Sequence, residues 1–466
     1  MKNYLGIAAA GMLLFSACSS DEEVINNGNS SVNLEGQELV MKVVNTGDGL
    51  KTRVGRPLLS SEADQTIDKV KLAIFKLNDK TNAIESCVFT KEFSEWSNSS
   101  TNFNNENAGH GKYASLNLKK EASLAASNGL SQGKYMVYAV GYTSEGSVYT
   151  YAPTLESITS PWKDAANFQS IKATSNAGGE EIFAGSIAKL EVNKDGNFTY
   201  TAGKPENNIL YLHRQVAGAF GYFKNIPVAG PDGTKATHLR LVAVDKNTTL
   251  NMTNFNTGFR KPNEGVKYVV NGETSASTKD AKFKGGSEGY VVYNIKLTDW
   301  FPKGDENNNG LLDAGDEGWN IPAMGGDFNA VKGSVFAGNF VIPFANKGAK
   351  TFELQLVSGE GKDAKILRTW AINLNAQQEG VVGVNNTPIN NESTTSYSIV
   401  RNHLYTIGKK DIANPKPGPG EPEPQPNPGE SENEKPEDLS KGQILTLRVN
   451  DNWEVIHQLG GILWFL

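Results

Sequence analysis

Residues 209–223 read ILYLHRQVAGAFGYF, and the fold turns on how that run is placed. It is apolar and aromatic, and it follows a stretch from 143 to about 203 where strand signals are weak. It is therefore read as the opening of a second β-sandwich, with a domain boundary near residue 205. Downstream, short apolar runs recur at 239–244, 290–297, 335–344, 352–357, 367–374 and 397–407, separated by Gly, Asn and Asp. Strands broken by turn residues are the expected reading. Upstream, 67–77 (IDKVKLAIFKL) puts Val70, Leu72 and Ile74 on one face, and 135–142 (YMVYAVGY) reads as a central strand. Residues 96–111 are an Asn- and Ser-rich loop, and 119–127 has the pattern of a short helix.

Composition agrees. Of 466 residues, 38% are hydrophobic and 21% charged, which is ordinary for globular chains and leaves room for two or three domains. Gly is high at 48, and long helical periodicity is scarce, so the fold class is all-β. A net charge of −6 without a basic stripe argues against nucleic acid as a partner. The chain has two cysteines, Cys18 and Cys87. Cys87 reads as a strand thiol, and no disulfide framework is expected.

The N-terminus reads as an address. Residues 1–18 are MKNYLGIAAAGMLLFSAC: a Lys, an apolar run too short for a permanent span, small residues, then Cys18. This is the pattern of a bacterial lipoprotein signal, with Cys18 acylated; a signal peptide cut elsewhere is the alternative. Residues 39–44 (LVMKVV) form a first strand. The turn-rich TGDG follows, and then the basic loop KTRVGRP at 51–57, whose Arg53 is the better scissile residue because Arg56 precedes Pro57. An ordinary surface loop is the plainer reading.

The C-terminus divides in two. Residues 413–442 (ANPKPGPGEPEPQPNPGESENEKPEDLSKG) carry almost no apolar side chains and read as an extended, solvated spacer. Its 30 residues at about 3.1 Å each reach roughly 90 Å in the polyproline form. Residues 443–466 (QILTLRVNDNWEVIHQLGGILWFL) are apolar. Leu445, Leu447 and Val449 alternate with Thr446 and Arg448, and Trp453, Val455 and Ile456 follow. A lone strand is unstable. Either it docks on its own body or it completes a sheet of another molecule.

Residues 305–316 read DENNNGLLDAGD. Asp305, Asn307, Asn309, Leu311 (through its carbonyl), Asp313 and Asp316 fall at the ligand positions of an EF-hand-like loop, with Gly310 at the sharp turn. The two readings are a structural calcium ion and an acidic surface turn. No catalytic residues are assigned and no cofactor is required. None of the five His has metal or triad spacing, and no phosphate loop or nucleophile elbow appears.

Taken in order, the lipobox FSAC ending at Cys18, the strand followed by KTRVGRP, LHRQVAGAF at 212–220, RNHLYTI at 401–407 and the Pro-rich spacer before a terminal strand resemble the type V pilins, the fimbrillin family of Bacteroidetes. The acidic run 19–23 (SSDEE) likewise resembles the surface-export signal of Bacteroidetes lipoproteins. The resemblance implies two transthyretin-like β-sandwiches. Residues 1–18 are then the signal, 19–53 a propeptide holding a removable first strand, 54–205 and 206–412 the sandwiches, 413–442 the linker and 443–466 a donor strand. It also implies export as an outer-membrane lipoprotein, a cut by an Arg-specific protease between Arg53 and Val54, and loss of the lipid with the first strand. The groove is refilled by Leu445, Leu447, Val449, Trp453 and Val455 of another copy, giving surface fimbriae for adhesion and biofilm. Partners are then copies of the chain and related fimbrial subunits. An anchor subunit that keeps its lipid is one alternative. A surface lipoprotein that binds glycans through exposed aromatics is the other.

Overall fold

A computed structural model of the chain describes residues 36–45, 67, 69–96, 100–105, 109–142, 149–151, 170–173, 181–199, 208–243, 245–247, 249–251, 268–269, 279–282, 290–322, 330–344, 350–361, 363–374, 381–382, 399, 401, 404–408, 435–441 and 444–450. These residues are overwhelmingly β-strand, arranged in two large sheets, each closed over its own core.

The first sandwich comprises β1 (Glu38–Asn45), β2 (Lys69–Leu77), β3 (Ile84–Phe93), β4 (Thr101–Asn105), β5 (Gly109–Asn117), β6 (Gly133–Tyr142), β7 (Phe183–Val192), β8 (Phe198–Thr199) and β9 (Ile209–Arg214). Neighbours run β3-β2-β6-β7-β9-β1-β5-β4, with β8 paired to β7. The path folds over between β7 and β9, where the pairs are His213–Ala184 and Arg214–Phe183. Val70, Leu72, Ile74, Val137 and Leu190 from one half meet Leu39, Met41, Leu116, Leu210 and Leu212 from the other in one core. Period-two alternation along each strand sends these side chains inward. The β2–β3 turn is local chemistry: the Asn78 side chain accepts the N–H groups of Lys80 and Thr81, and Asn82 takes a left-handed φ of 55°.

The second sandwich comprises β10 (Ala217–Lys224), β11 (His238–Ala243), β12 (Tyr290–Lys296), β13 (Ser334–Val341), β14 (Lys350–Ser358), β15 (Lys365–Leu374), β16 (Leu404–Ile407), β17 (Glu437–Asp438) and β18 (Leu445–Asn450). Neighbours run β12-β11-β14-β15-β18-β16-β10-β13, and β17 pairs with β10. Aromatic packing dominates its core: the Trp300 and Phe336 rings lie 5.0 Å apart at 73°, and Tyr222 meets Phe336 edge-on at 6.2 Å.

Three placements differ from the sequence reading. The run 209–223 straddles the boundary instead of following it. β9 closes the first sandwich and β10 opens the second, so the switch falls at Gln215 and Val216, at the end of the polar stretch His213-Arg214-Gln215 that interrupts the apolar run. Several strands went unread. β4 (TNFNN) lies within the expected loop 96–111 and β5 (GHGKYASLN) begins in it, and β7 (FAGSIAKLEV) and β8 lie in the weak stretch 143–203. β5 and β7 carry Gly, Ala and Lys, and their strand state comes from the partners they lie between, which propensity does not register. Residues 118–127 form two 3₁₀ segments, Leu118–Lys120 and Ala122–Ser127, in place of one short helix.

The end of the spacer is a correction. Residues 413–434 lie outside the described residues, but 435–441 pack against the second sandwich. Leu439 is fully buried in its core and donates its N–H to the Lys224 carbonyl at 3.0 Å. A single apolar side chain in a polar tract is enough to dock where the neighbouring backbone offers a pairing edge.

Candidate functional site

Two strand seats carry the functional question. β1 is interior. It pairs in parallel with β9 (Val40–Ile209, Met41–Leu210, Val43–Leu212) and antiparallel with β5 (Leu39–Leu116, Met41–Ala114, Val43–Lys112). Leu39, Met41 and Val43 are fully buried, and on the opposite face Val40 and Lys42 are also buried. The Lys42 ammonium lies 5.9 Å from the centroid of the Tyr211 ring, within range of a cation–π contact. A polar latch fixes the start of the strand. Gln37 is fully buried; its amide donates to the carbonyls of Leu130 (2.8 Å) and Gly196 (3.1 Å) and accepts the Leu130 N–H at 2.7 Å. The Asn208 amide donates to the Glu38 carbonyl at 2.7 Å. Gly129, at φ +99°, leaves room for the latch: a Cβ there would meet the Gln37 side-chain oxygen at 2.6 Å.

β18 is interior too. It pairs in parallel with β15 (Ile372–Leu445, Leu374–Leu447) and antiparallel with β16 (Ile407–Leu447, Tyr405–Val449, Leu404–Asn450). Leu445 is buried in the second core, whereas Ile444 just before it is 63% exposed. The chain reaches β18 through a clip. Leu439 is buried, the Ser440 N–H and hydroxyl both donate to Asp438, and the Trp370 indole donates to the Lys441 carbonyl at 3.4 Å. Burial raises the Asp438 carboxyl. The two Ser440 bonds, a bond with Asn225 and the charge of Lys441 outweigh that, leaving it below the usual aspartate value.

The two sandwiches join through a polar knot that the sequence reading did not single out. Arg214 and Glu181 form a fully buried ion pair, with Arg214 Nε 2.9 Å and Nη2 2.7 Å from Glu181 Oε1. The guanidinium stacks 4.9 Å from the Phe183 centroid. Arg401 donates to Gln215 Oε1 at 2.9 Å, and Gln215 donates to the His213 carbonyl at 2.7 Å. LHRQVAGAF and RNHLYTI thus meet in space. Around the knot, Phe75, Tyr138, Val140, Ile182, Ala184, Val216, Leu250 and Ile342 form a third apolar cluster spanning both sandwiches. Gly185 permits the crossing, since a Cβ there would meet the Tyr211 carbonyl oxygen at 1.8 Å. The sequence signal available was a polar pair, His213-Arg214, inside an apolar run.

In the 305–316 loop, five of the six candidate ligands use their side chains in hydrogen bonds within the loop. Asp305 accepts the N–H groups of Asn309 (3.1 Å) and Gly310 (2.9 Å). The Asn307 and Asn309 amides donate to the two Asp313 oxygens at 3.2 and 2.7 Å. Asp316, fully buried, accepts the N–H groups of Glu306 and Asp313, each at 2.9 Å. Leu311 pairs with Pro227 in a short two-stranded ribbon. Among the described residues, no group of three or more His, Cys, Asp or Glu is placed to hold a metal ion. Cys87 is half-buried. Burial raises its thiol pKa, and the thiol sits 3.6 Å from the Phe89 carbonyl. Cys18, Arg53, Val54, Trp453 and Val455 lie outside the described residues, and for Leu447 and Val449 the structure describes the backbone.

No family model matches the chain, and no curated protein matches it. Among solved structures it is similar to a protein from Bacteroides eggerthii described provisionally as a cell adhesion protein (14% identity, TM-score 0.36, 90% of this chain and 97% of that one). It is also similar to the tip fimbrial protein Mfa3 from Porphyromonas gingivalis with C-terminal truncation (10%, 0.34, 79% and 94%). A third is a fimbrial assembly protein from Parabacteroides distasonis (10%, 0.30, 81% and 93%).

Proposed function

We propose that the chain is a structural subunit of a surface fimbrium, assembled by strand exchange. In this reading the precursor is exported as a lipoprotein acylated at Cys18 and held at the outer membrane. An Arg-specific protease cuts between Arg53 and Val54, and the segment carrying β1 departs. A C-terminal segment from another copy, or from a related fimbrial subunit, then fills the seat. The contact is head-to-tail and does not close on itself, so it propagates into a fibre. The role is structural and not catalytic.

The observation that supports this reading is the position of β1. It is the described strand nearest the N-terminus, yet it is an interior strand with Leu39, Met41 and Val43 fully buried. Its loss opens a core where loss of an edge strand would only trim a sheet. At about 1.5–3 kcal/mol for each large buried side chain, the three are worth on the order of 5–9 kcal/mol to whatever strand occupies the seat. β5 and β9 would each be left with an unpaired edge, which favours capture of a new strand.

A glycan-binding lipoprotein would present exposed aromatic side chains. Among the residues whose side chains are described, Ile444 is the one exposed large hydrophobic. The test is electron microscopy of surface material from cells expressing the full chain or the chain lacking 443–466. Filaments should vanish with the deletion, and normal filaments would remove the proposal. The mass of the mature surface form, lipidated or beginning at Val54, separates an anchor from a shaft subunit.

A further inference from the structure

We infer that the seat of β1 selects its strand by the residues at the strand's start: a glutamine two positions before the first buried leucine, with a glycine ahead of it. This rests on the strand-exchange reading above and adds what an incoming strand must carry.

The apolar face of β1 gives the seat little power to choose. Leu39, Met41 and Val43 can each be exchanged for another large apolar side chain at small cost. Gln37 is different. Period two puts it on the same face as Leu39, and it is fully buried. Its amide meets three backbone groups of the body, donating to the Leu130 and Gly196 carbonyls and accepting the Leu130 N–H. When β1 departs, these three groups lose their partner. A strand that takes its place must restore them or leave them buried and unpaired. One acceptor and two N–H donors on a single side chain is the inventory of a primary amide. A glutamate would set a carboxylate oxygen against two carbonyls. A lysine brings no acceptor, and a serine or threonine hydroxyl has one hydrogen to give.

The residue before the glutamine is read as well. Gly36 has a φ of 92°, which side chains disfavour, and its carbonyl accepts the Phe198 N–H at 3.0 Å. The next two anchors take any sequence, because they hold backbone: the Leu118 N–H donates to the Gln37 carbonyl at 3.0 Å, and the Asn208 amide donates to the Glu38 carbonyl.

The chain contains this pattern twice. Gly442-Gln443-Ile444-Leu445-Thr446-Leu447-Arg448-Val449 repeats Gly36-Gln37-Glu38-Leu39-Val40-Met41-Lys42-Val43 in its glycine, its glutamine, its large apolar positions, its base and its final valine. No other glutamine in the sequence has a leucine two residues on. The strand that fits the seat is therefore 442–450 of a second copy. In the single chain 445–450 is seated as β18, so a donor copy gives up that seat to fill this one.

Peptide binding to the full chain tests this. The chain is cut between Arg53 and Val54, and its β1 segment is left to exchange with an excess of labelled peptide 36–45, followed by fluorescence anisotropy. That peptide should bind. Its Gln37→Glu and Gln37→Ala forms should bind at least about tenfold more weakly. Glu38→Gln, at a half-exposed position, should change binding by less than about threefold. Peptide 442–450 should bind too, with Gln443→Glu weakening it by a similar factor. Equal binding by peptide 36–45 and its two Gln37 variants would overturn the selectivity while leaving strand exchange standing. Binding of 36–45 without binding of 442–450 would overturn the choice of strand. No binding of any peptide to the cut chain, folded by circular dichroism, would overturn the strand-exchange reading itself and the selectivity with it.

Discussion

β1 and β18 are near-copies in two different settings. Leu39-Val40-Met41-Lys42-Val43 and Leu445-Thr446-Leu447-Arg448-Val449 share large apolar residues at the first and third positions, a base at the fourth and Val at the fifth. Each lies between one parallel and one antiparallel neighbour. They differ in what holds them. β1 is fixed at its start by the Gln37 latch, and the chain beyond it runs into the segment containing Arg53. β18 is fixed just ahead of its start by the buried Leu439 and by the Trp370 indole on the Lys441 carbonyl. On the proposed strand-exchange mechanism these similar strands part company: β1 leaves with the propeptide, and the contacts ahead of β18 hold it in place in the unassembled chain.

The largest effect should separate the two seats. Met41→Asp places a charge in a fully buried position and should destabilise the uncleaved chain by on the order of 3–5 kcal/mol. The same substitution should leave the cleaved, separated form untouched, because β1 has gone. Leu445→Asp should destabilise both forms. Thermal unfolding of the four samples checks this; equal damage by Met41→Asp before and after cleavage would show that β1 never leaves.

The knot should come next. Glu181→Gln removes the carboxylate bonded to the buried Arg214 guanidinium, at a cost of roughly 3–5 kcal/mol in either form. Urea unfolding measures it, and a cost well under 1 kcal/mol would mean that water reaches the pair. Leu439→Ala should cost about 2–4 kcal/mol and expose the tail to proteases. If proteolysis at 435–441 is unchanged, the clip does not hold β18.

Acid should loosen the clip. The folded Asp438 carboxyl titrates below its unfolded value, so its contribution is present above about pH 3.9 and is lost as pH falls through the folded value. Proteolysis of the tail should accelerate in that range for the wild-type chain, and Asp438→Asn should remove the pH dependence. The smallest effect is expected from a chelator. Because the 305–316 loop closes through its own hydrogen bonds, chelation should shift the melting temperature by less than about 2 °C. A larger drop, restored by calcium, would make an ion part of that loop.

Much of this was legible in the sequence, for identifiable reasons. Short apolar runs exposed β1 and β6, and alternation exposed β2 and β18, because successive side chains of a strand point to opposite faces. β5 and β7 were hidden because Gly, Ala and Lys hold strand geometry there only between neighbours. The boundary was misplaced by about ten residues, because β9 and β10 are both buried and read as one apolar run. The joining of Arg401 to Gln215 across 186 positions is a fact of tertiary structure that no local pattern carries. At the candidate site, the apolar face of β1 could be read directly. Its place between β5 and β9, on which the proposed mechanism depends, could not.

Hydrogen exchange followed by mass spectrometry on β5 and β9 tests the central claim most directly. Amides of residues 109–117 and 209–214 should be protected in the precursor, exchange quickly in the cleaved monomer, and be protected again in the filament. Protection that persists unbroken through cleavage, or that never returns on assembly, would contradict the account.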